Sequence, residues 1–260
     1  MSQRPKLGQH FLDSQRVVRQ IVNLVPEGSA VVEIGPGHGA LTAGLLRRSS
    51  GYLGMELDPW LAERLRGKFS EQKNFHLTEG DFLSQELPAY LPASLVLVGN
   101  VPYYISAKIV QRACVEPRYS RAVLMFQREF AKRLTAEAGG SDYGSLSVYT
   151  QYHWQVRLAI SVGRERFKPP PRVDSAVVEF IRREQPPVEV DDAEAFFRLV
   201  RACFTHRRKQ LGNAPLKELA IEKETWIAVL AEAEIERSRR PQTLSIDDYA
   251  VVYRAYQEQK

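Results

Sequence analysis

The chain has 260 residues, 44% of them hydrophobic, with a net charge of +5, enough for one large core or a large domain beside a small one. The positive excess favours a polyanionic partner. The lack of any run near the ~20 apolar residues of a membrane span, and of an apolar core in Met1-Ser-Gln-Arg-Pro-Lys6, argues against a spanning segment and a signal peptide. Cys114 and Cys203 lack metal-ligand spacing, so no metal site is expected, and they fit reduced thiols of a cytoplasmic protein better than a disulfide framework.

Residues 1–13 carry Arg4 and Lys6, then Gly8-Gln9-His10-Phe11-Leu12, and read as an ordered arm. Asp13 or Ser14 caps a helix to about Val25, which places Val17, Val18, Ile21, Val22 and Val25 on one apolar side before Pro26-Glu27-Gly28 breaks it. Strands are predicted at 30–34, 52–57, 75–78, 95–98 and 122–126, and helices at 41–48, 59–69 and 105–114. Strands and helices alternating at this spacing imply a parallel, doubly wound α/β sheet. Beyond residue 140, segments 146–152 and 155–162 read as two strands or a helix and a strand. Residues 175–181 are a clear strand after a proline run, so antiparallel strands appended to the sheet are expected. Residues 184–192 have a linker's composition, and 195–204, 224–233 and 246–257 are helical, which predicts a small helical domain.

Chemistry concentrates where the strands end. Glu33-Ile-Gly35-Pro-Gly37-His-Gly39 joins the first strand to a helix, and glycine there lets the backbone approach a ligand. Glu56 ends the second strand, 21 positions after Gly35, where an acid accepts hydrogen bonds from both hydroxyls of a ribose. Dinucleotide enzymes use the same acid, so this pair points to a nucleoside cofactor and leaves a nicotinamide oxidoreductase open. Asp81 in Gly80-Asp81-Phe82 suits the exocyclic amine of an adenine ring with Phe82 against the ring, and equally an Asx turn.

Gly99-Asn100-Val101-Pro102-Tyr103 closes the fourth strand. An amide oxygen (Asn100) and a backbone carbonyl (Val101) accept the two N–H groups of an aromatic amine and localise its delocalised lone pair. Pro102 stiffens the turn and Tyr103 offers a stacking face. A plain strand-closing turn has the same residue types. Taken with the glycine loop, this element favours S-adenosylmethionine as the cofactor.

The ordered set of motifs resembles the KsgA/RsmA family of ribosomal RNA adenine dimethyltransferases nearly end to end. It comprises Leu7-Gly-Gln-His-Phe-Leu12, Val32-Glu-Ile-Gly-Pro-Gly-His-Gly-Ala-Leu-Thr42, Gly54-Met-Glu-Leu-Asp58, Gly80-Asp81 and Gly99-Asn-Val-Pro-Tyr103. It continues through Asp142-Tyr-Gly-Ser-Leu-Ser-Val148, Phe167-Lys-Pro-Pro-Pro-Arg-Val-Asp-Ser-Ala-Val-Val178 and Phe204-Thr-His-Arg-Arg-Lys-Gln-Leu211. His10 stands where the family often has Asn, Val101 replaces a common Leu, and Ser145 takes the place of an Arg. The resemblance implies a Rossmann-like class I methyltransferase domain over 1–184 and an all-α domain over 193–260. It implies transfer of four methyl groups from S-adenosylmethionine to two adjacent adenosines near the 3′ end of 16S rRNA, by a cytoplasmic monomer that acts on the small ribosomal subunit and not on DNA.

By the same resemblance Gln9, His10 and Leu12 join Gly35, Gly37, Glu56, Asp81, Phe82 and Asn100 around the cofactor. Phe167 closes on the target base opposite Tyr103, although a core residue ahead of a rigid turn is its plain reading. Arg4, Lys6 and the run Arg207-Arg208-Lys209 are expected to meet RNA phosphates, with further basic residues at 157, 164, 166, 168, 172, 182 and 183. Two other readings stay open: a dimethyltransferase of large-subunit rRNA from the antibiotic-resistance branch, and a non-catalytic RNA-binding assembly or transcription factor on the same scaffold.

Overall fold

Apolar runs between glycine and proline breaks become the strands of the sheet. The computed structural model describes residues 10–214 and 217–259. Its first elements are β1 (Phe11–Leu12), α1 (Gln15–Asn23), β2 (Ala30–Ile34), α2 (Thr42–Arg48), β3 (Gly51–Glu56), α3 (Pro59–Phe69), β4 (Phe75–Glu79) and β5 (Leu95–Asn100). A single 3-10 turn, Tyr103–Ile105, leads into α4 (Ser106–Val115), followed by β6 (Tyr119–Gln127) and α5 (Arg128–Thr135). Then come α6 (Ser145–His153), β7 (Trp154–Val162), β8 (Phe167–Lys168), β9 (Ser175–Arg182), α7 (Ala193–Thr205), α8 (Lys223–Glu232) and α9 (Ile246–Glu258).

Seven strands form one sheet in the order β4-β3-β2-β5-β6-β9-β7. The first five run parallel, and β9 lies antiparallel to β6 with Val123 opposite Glu179. Parallel strands covered on both faces must be apolar throughout. Val31, Val32, Leu53, Leu95, Leu97 and Val98 are accordingly buried. Helix α3 begins where Asp58 accepts from the Trp60 and Leu61 amides with Pro59 in the first turn, the local code for a helix start. The arm supplies β1, which pairs antiparallel with β8 so that Leu12 faces Phe167 and Phe11 faces Lys168.

The chain divides into two compact units. The first takes the described residues up to Ala131 together with Gln155–Arg182; the second takes Lys132–Trp154 and those from Arg183 onward. A boundary at 184–193 alone does not describe this division, because residues 132–154 group with the helices. Tyr143, Val148 and Tyr152 are buried with Phe196, Trp226 and Tyr249 in the second unit's core. The ambiguous segment 146–152 is helix α6, and α5 has no counterpart among the predicted elements. Residues 184–192 hold neither helix nor strand, as a linker should, yet Val188 is buried in that core. Among the described residues no helix is long and apolar enough to cross a membrane.

Candidate functional site

The sheet's connectivity decides where a ligand goes. From β2 the chain moves outward through β3 to β4, then returns to lay β5 on the opposite side of β2. The carboxyl ends of β2 and β5 therefore flank a topological switch point, the usual ligand crevice of such sheets. A cavity of about 410 Å³ opens there, lined by the glycine loop, Glu33, Glu56, Asp81, Phe82 and the segment from Asn100 to Ile105. That volume suits a nucleoside-sized ligand.

Gly35 and Gly37 take positive φ angles of 55° and 61°, and a Cβ on Gly37 would lie 3.1 Å from the Phe11 ring. Glycine is needed here for backbone angle and for space. Glu56, only 2% exposed, clamps this loop: one carboxylate oxygen accepts from the Gly37 amide at 2.9 Å, the other from the Asp58 amide at 3.0 Å. Each oxygen keeps a further lone pair for a ligand hydroxyl. Asp81 is exposed and accepts from the Leu83 amide at 2.9 Å, an Asx turn that leaves its second oxygen to the cavity. Phe82 is buried below it.

On the opposite wall, the Asn100 Nδ2 donates to the His10 carbonyl at 2.9 Å. This bond fixes which end of the carboxamide is which, leaving Oδ1 as the acceptor. The Val101 amide donates to the Met125 carbonyl at 3.1 Å, and no donor among the described residues reaches the Val101 carbonyl. The Tyr103 hydroxyl shares a 2.8 Å hydrogen bond with Ser175, and burial raises the phenol's pKa. His10 Nδ1 donates to the Pro169 carbonyl at 2.8 Å, and its ring stacks on Tyr103 with centroids 6.1 Å apart. Leu12 is buried along the same lining. Gln9 lies outside the described residues.

Phe167 requires a correction. It is 2% exposed, packs in the core with Val17, Leu12 and Val177, and does not line the cavity. Successive side chains of a strand point to opposite faces, and in β8 the inward position falls to Phe167 while Lys168 reaches the cavity. This structure therefore places Phe167 in the core and Lys168 at the cavity.

The sequence matches the family described as ribosomal RNA adenine dimethylase over residues 1–251. The chain belongs to that family. Among curated relatives, the "Ribosomal RNA small subunit methyltransferase A" of Geobacillus sp. (strain WCH70) is 35% identical, over 98% of this chain and 91% of the relative. That of Moorella thermoacetica is 37% identical over 98% and 92%. A dimethyladenosine transferase from Plasmodium falciparum superposes with a TM-score of 0.84 at 25% identity, over 96% of this chain and 98% of that one. The 23S rRNA methyltransferase ErmE gives 0.75 at 27% identity, over 95% and 99%. The sheet is the Rossmann-like sheet of class I methyltransferases.

In this dimethylase the loops that end β2, β3, β4 and β5 reach the cavity, and Phe167 does not. Phe167→Leu is expected to lower stability by about 1 kcal/mol, leaving methyl transfer per folded molecule near its original rate. A selective rate loss at unchanged melting temperature would return the ring to the base pocket.

A buried cluster beneath the glycine loop is missed by the sequence reading. Glu33, 2% exposed, accepts at Oε2 from the Thr42 hydroxyl at 2.7 Å and from the Tyr52 hydroxyl at 2.6 Å. Desolvation pushes its carboxyl up to about 7, against the two hydroxyls, which lower it. An acid within the apolar run Ala30-Val-Val-Glu-Ile34 is a visible signal; its partner Tyr52, on another strand, is not.

Arg4 and Lys6 lie outside the described residues. In the second unit Arg208 and Lys209 are exposed after α7, whereas Arg207 is half-buried and donates to the Ser141 carbonyl. Most of the other basic residues are engaged structurally. Arg157 pairs with Glu179, Arg166 with Glu165 and Lys168 with Asp13. Arg182 donates to carbonyls at the end of α4, and Arg183 to Gln151.

Proposed function

We propose that this dimethylase transfers methyl groups from S-adenosylmethionine to the exocyclic amines of two adjacent adenosines near the 3′ end of small-subunit rRNA, four in all, in the cytoplasm. The observation that carries the reading is the Asn100 carboxamide, oriented by the His10 carbonyl, in the same cavity as the Glu56 carboxylate and the positive-φ glycine loop. A buried acid beside open backbone suits a ribose, and the cavity suits a nucleoside. The small-subunit assignment draws on the names of the curated relatives, 34–37% identical across the chain. It stands ahead of the large-subunit branch to which ErmE is assigned by its name.

When bound, S-adenosylmethionine supplies an electrophilic sulfonium methyl. Asn100 Oδ1 and the Val101 carbonyl accept the two N–H groups of the target amine, hold its lone pair in line and stabilise the positive charge that develops on nitrogen. Tyr103, its hydroxyl tied to Ser175, presents a ring against the flipped base. Asn100 itself is no base, and none is required there, because the alkylated amine is acidic and sheds its proton after transfer. The exposure and charge of Arg208 and Lys209 support a contact with RNA phosphates.

The test offers labelled S-adenosylmethionine with small subunits lacking the 3′-terminal dimethyladenosines, large subunits alongside, and nucleoside mass analysis. Dimethyladenosine in the small subunit alone is expected. Label in the large subunit would move the chain to the resistance branch. Cofactor binding without transfer to either subunit would leave a binding factor.

A further inference from the structure

The Glu33 cluster is a buried polar feature at the cavity that the proposed chemistry leaves unused. Both hydroxyl donors converge on Oε2, and no donor among the described residues reaches Oε1, although Glu33 lines the cavity. Tyr52 reaches the carboxylate across β3 because position 54 lacks a side chain: a Cβ on Gly54 would sit 2.9 Å from the Tyr52 hydroxyl. Burial and the neighbouring Glu33 raise the pKa of the Tyr52 phenol well above its ordinary value, so it remains a donor throughout the neutral range.

We propose that Tyr52 is a positioning residue: with Thr42 it pins one oxygen of Glu33 and turns the other into the cavity, as the acceptor for a cationic group of the bound ligand. The inference rests on the proposed function, in which that ligand, S-adenosylmethionine, carries an ammonium and a sulfonium. Ligand affinity is then tied to the ionisation of Glu33.

The groups around Glu33 define the pH window. From β3 they are the Tyr52 phenol and the Glu56 carboxylate, and from α2 the Thr42 hydroxyl. The neighbouring β5 position is Val98 and the β3 position Gly54, neither of which titrates. No basic side chain is among the groups that shift it. Burial and the repulsion of Glu56 favour the neutral acid, while the two hydroxyls favour the carboxylate, which sets the balance at about 7. Affinity for the cation therefore rises with pH to near neutrality, changing by roughly tenfold per pH unit below the midpoint. It falls again where a ligand ammonium deprotonates, near pH ~8.

The experiment follows the Glu33 carboxyl carbon by NMR across pH in the free protein, and the S-adenosylmethionine dissociation constant by calorimetry from pH 5.5 to 9. Wild type, Tyr52→Phe, Thr42→Val and Glu33→Gln are compared. Tyr52→Phe keeps the ring and the packing, so its carboxyl midpoint and the rising limb of affinity should both move to higher pH. Binding at pH 7 should weaken by roughly tenfold. Glu33→Gln should lose the rising limb and keep the falling one. An unmoved midpoint in both hydroxyl variants, or a rising limb retained by Glu33→Gln, overturns the proposal while leaving cofactor binding intact. Failure of every protein to bind S-adenosylmethionine at any pH overturns the proposed function, and the positioning role with it.

Discussion

Asn100→Ala should cut single-turnover methyl transfer by at least about 100-fold, the scale of losing one preorganised group aimed at developing charge. Ground-state losses should be small. The side chain is half-buried and gives up one hydrogen bond, to the His10 carbonyl, worth about 1 kcal/mol, so the fold and S-adenosylmethionine affinity persist. Asn100→Asp is the sharper variant, because it retains an acceptor but loses the Nδ2 donor. Its carboxylate then meets the His10 carbonyl without a proton between them, and the orientation of the acceptor is no longer specified. Rates for Asp should fall between those for Asn and Ala when protein melting and cofactor affinity are matched. Transfer at the original rate in the alanine variant would remove the amide from the reaction.

Legibility followed the range of the interactions involved. The first strand, 30–34, and the helix 59–69 are read to the residue, because their determinants are local: an unbroken apolar run, and an Asp-Pro start whose carboxylate caps the next turn. Helix α5 follows β6 without an intervening break, and its apolar residues Phe130, Ala131 and Leu134 are too few to stand out in a polar stretch. Helix α6 is β-branched and serine-rich, so period and propensity disagree. Its first turn is tied down by Ser147, whose hydroxyl accepts from the Gly144 amide and donates to the Arg133 carbonyl. The grouping of 132–154 with the helices is set by core contacts with residues far along the chain.

The site divides in the same way. Its loops are legible because each one ends a strand at the same edge of a parallel sheet, so motif and placement are one observation. Long-range pairings are not. The arm's bond from Asn100 to His10, the β1–β8 ladder and the Tyr52–Glu33 bond join residues that no local pattern connects. Phe167 shows the cost of reading a motif before a period. Two residues of strand with Lys168 facing out require Phe167 to face in, whatever role the surrounding proline run suggests.

Glu56→Ala should weaken S-adenosylmethionine binding by about 100-fold or more, because hydrogen bonds to a charged acceptor contribute about 1.5–3 kcal/mol each and a ribose offers two hydroxyls. The structure complicates a simple reading. Glu56 also holds the Gly37 and Asp58 amides, so its removal frees two donors and loosens the glycine loop. Loss of affinity alone does not separate a ribose contact from a loop clamp. A double cycle does: the second arm is a cofactor analogue lacking the ribose hydroxyls, offered to wild type and to Glu56→Ala. If the carboxylate meets the ribose, the analogue binds wild type weakly and the alanine variant loses little more. If Glu56 serves only the loop, removing the hydroxyls weakens both proteins equally and the two effects add. Additivity would take Glu56 off the ribose while leaving the clamp, and coupling of 1 kcal/mol or more, on the order expected for groups in direct contact, would keep it there.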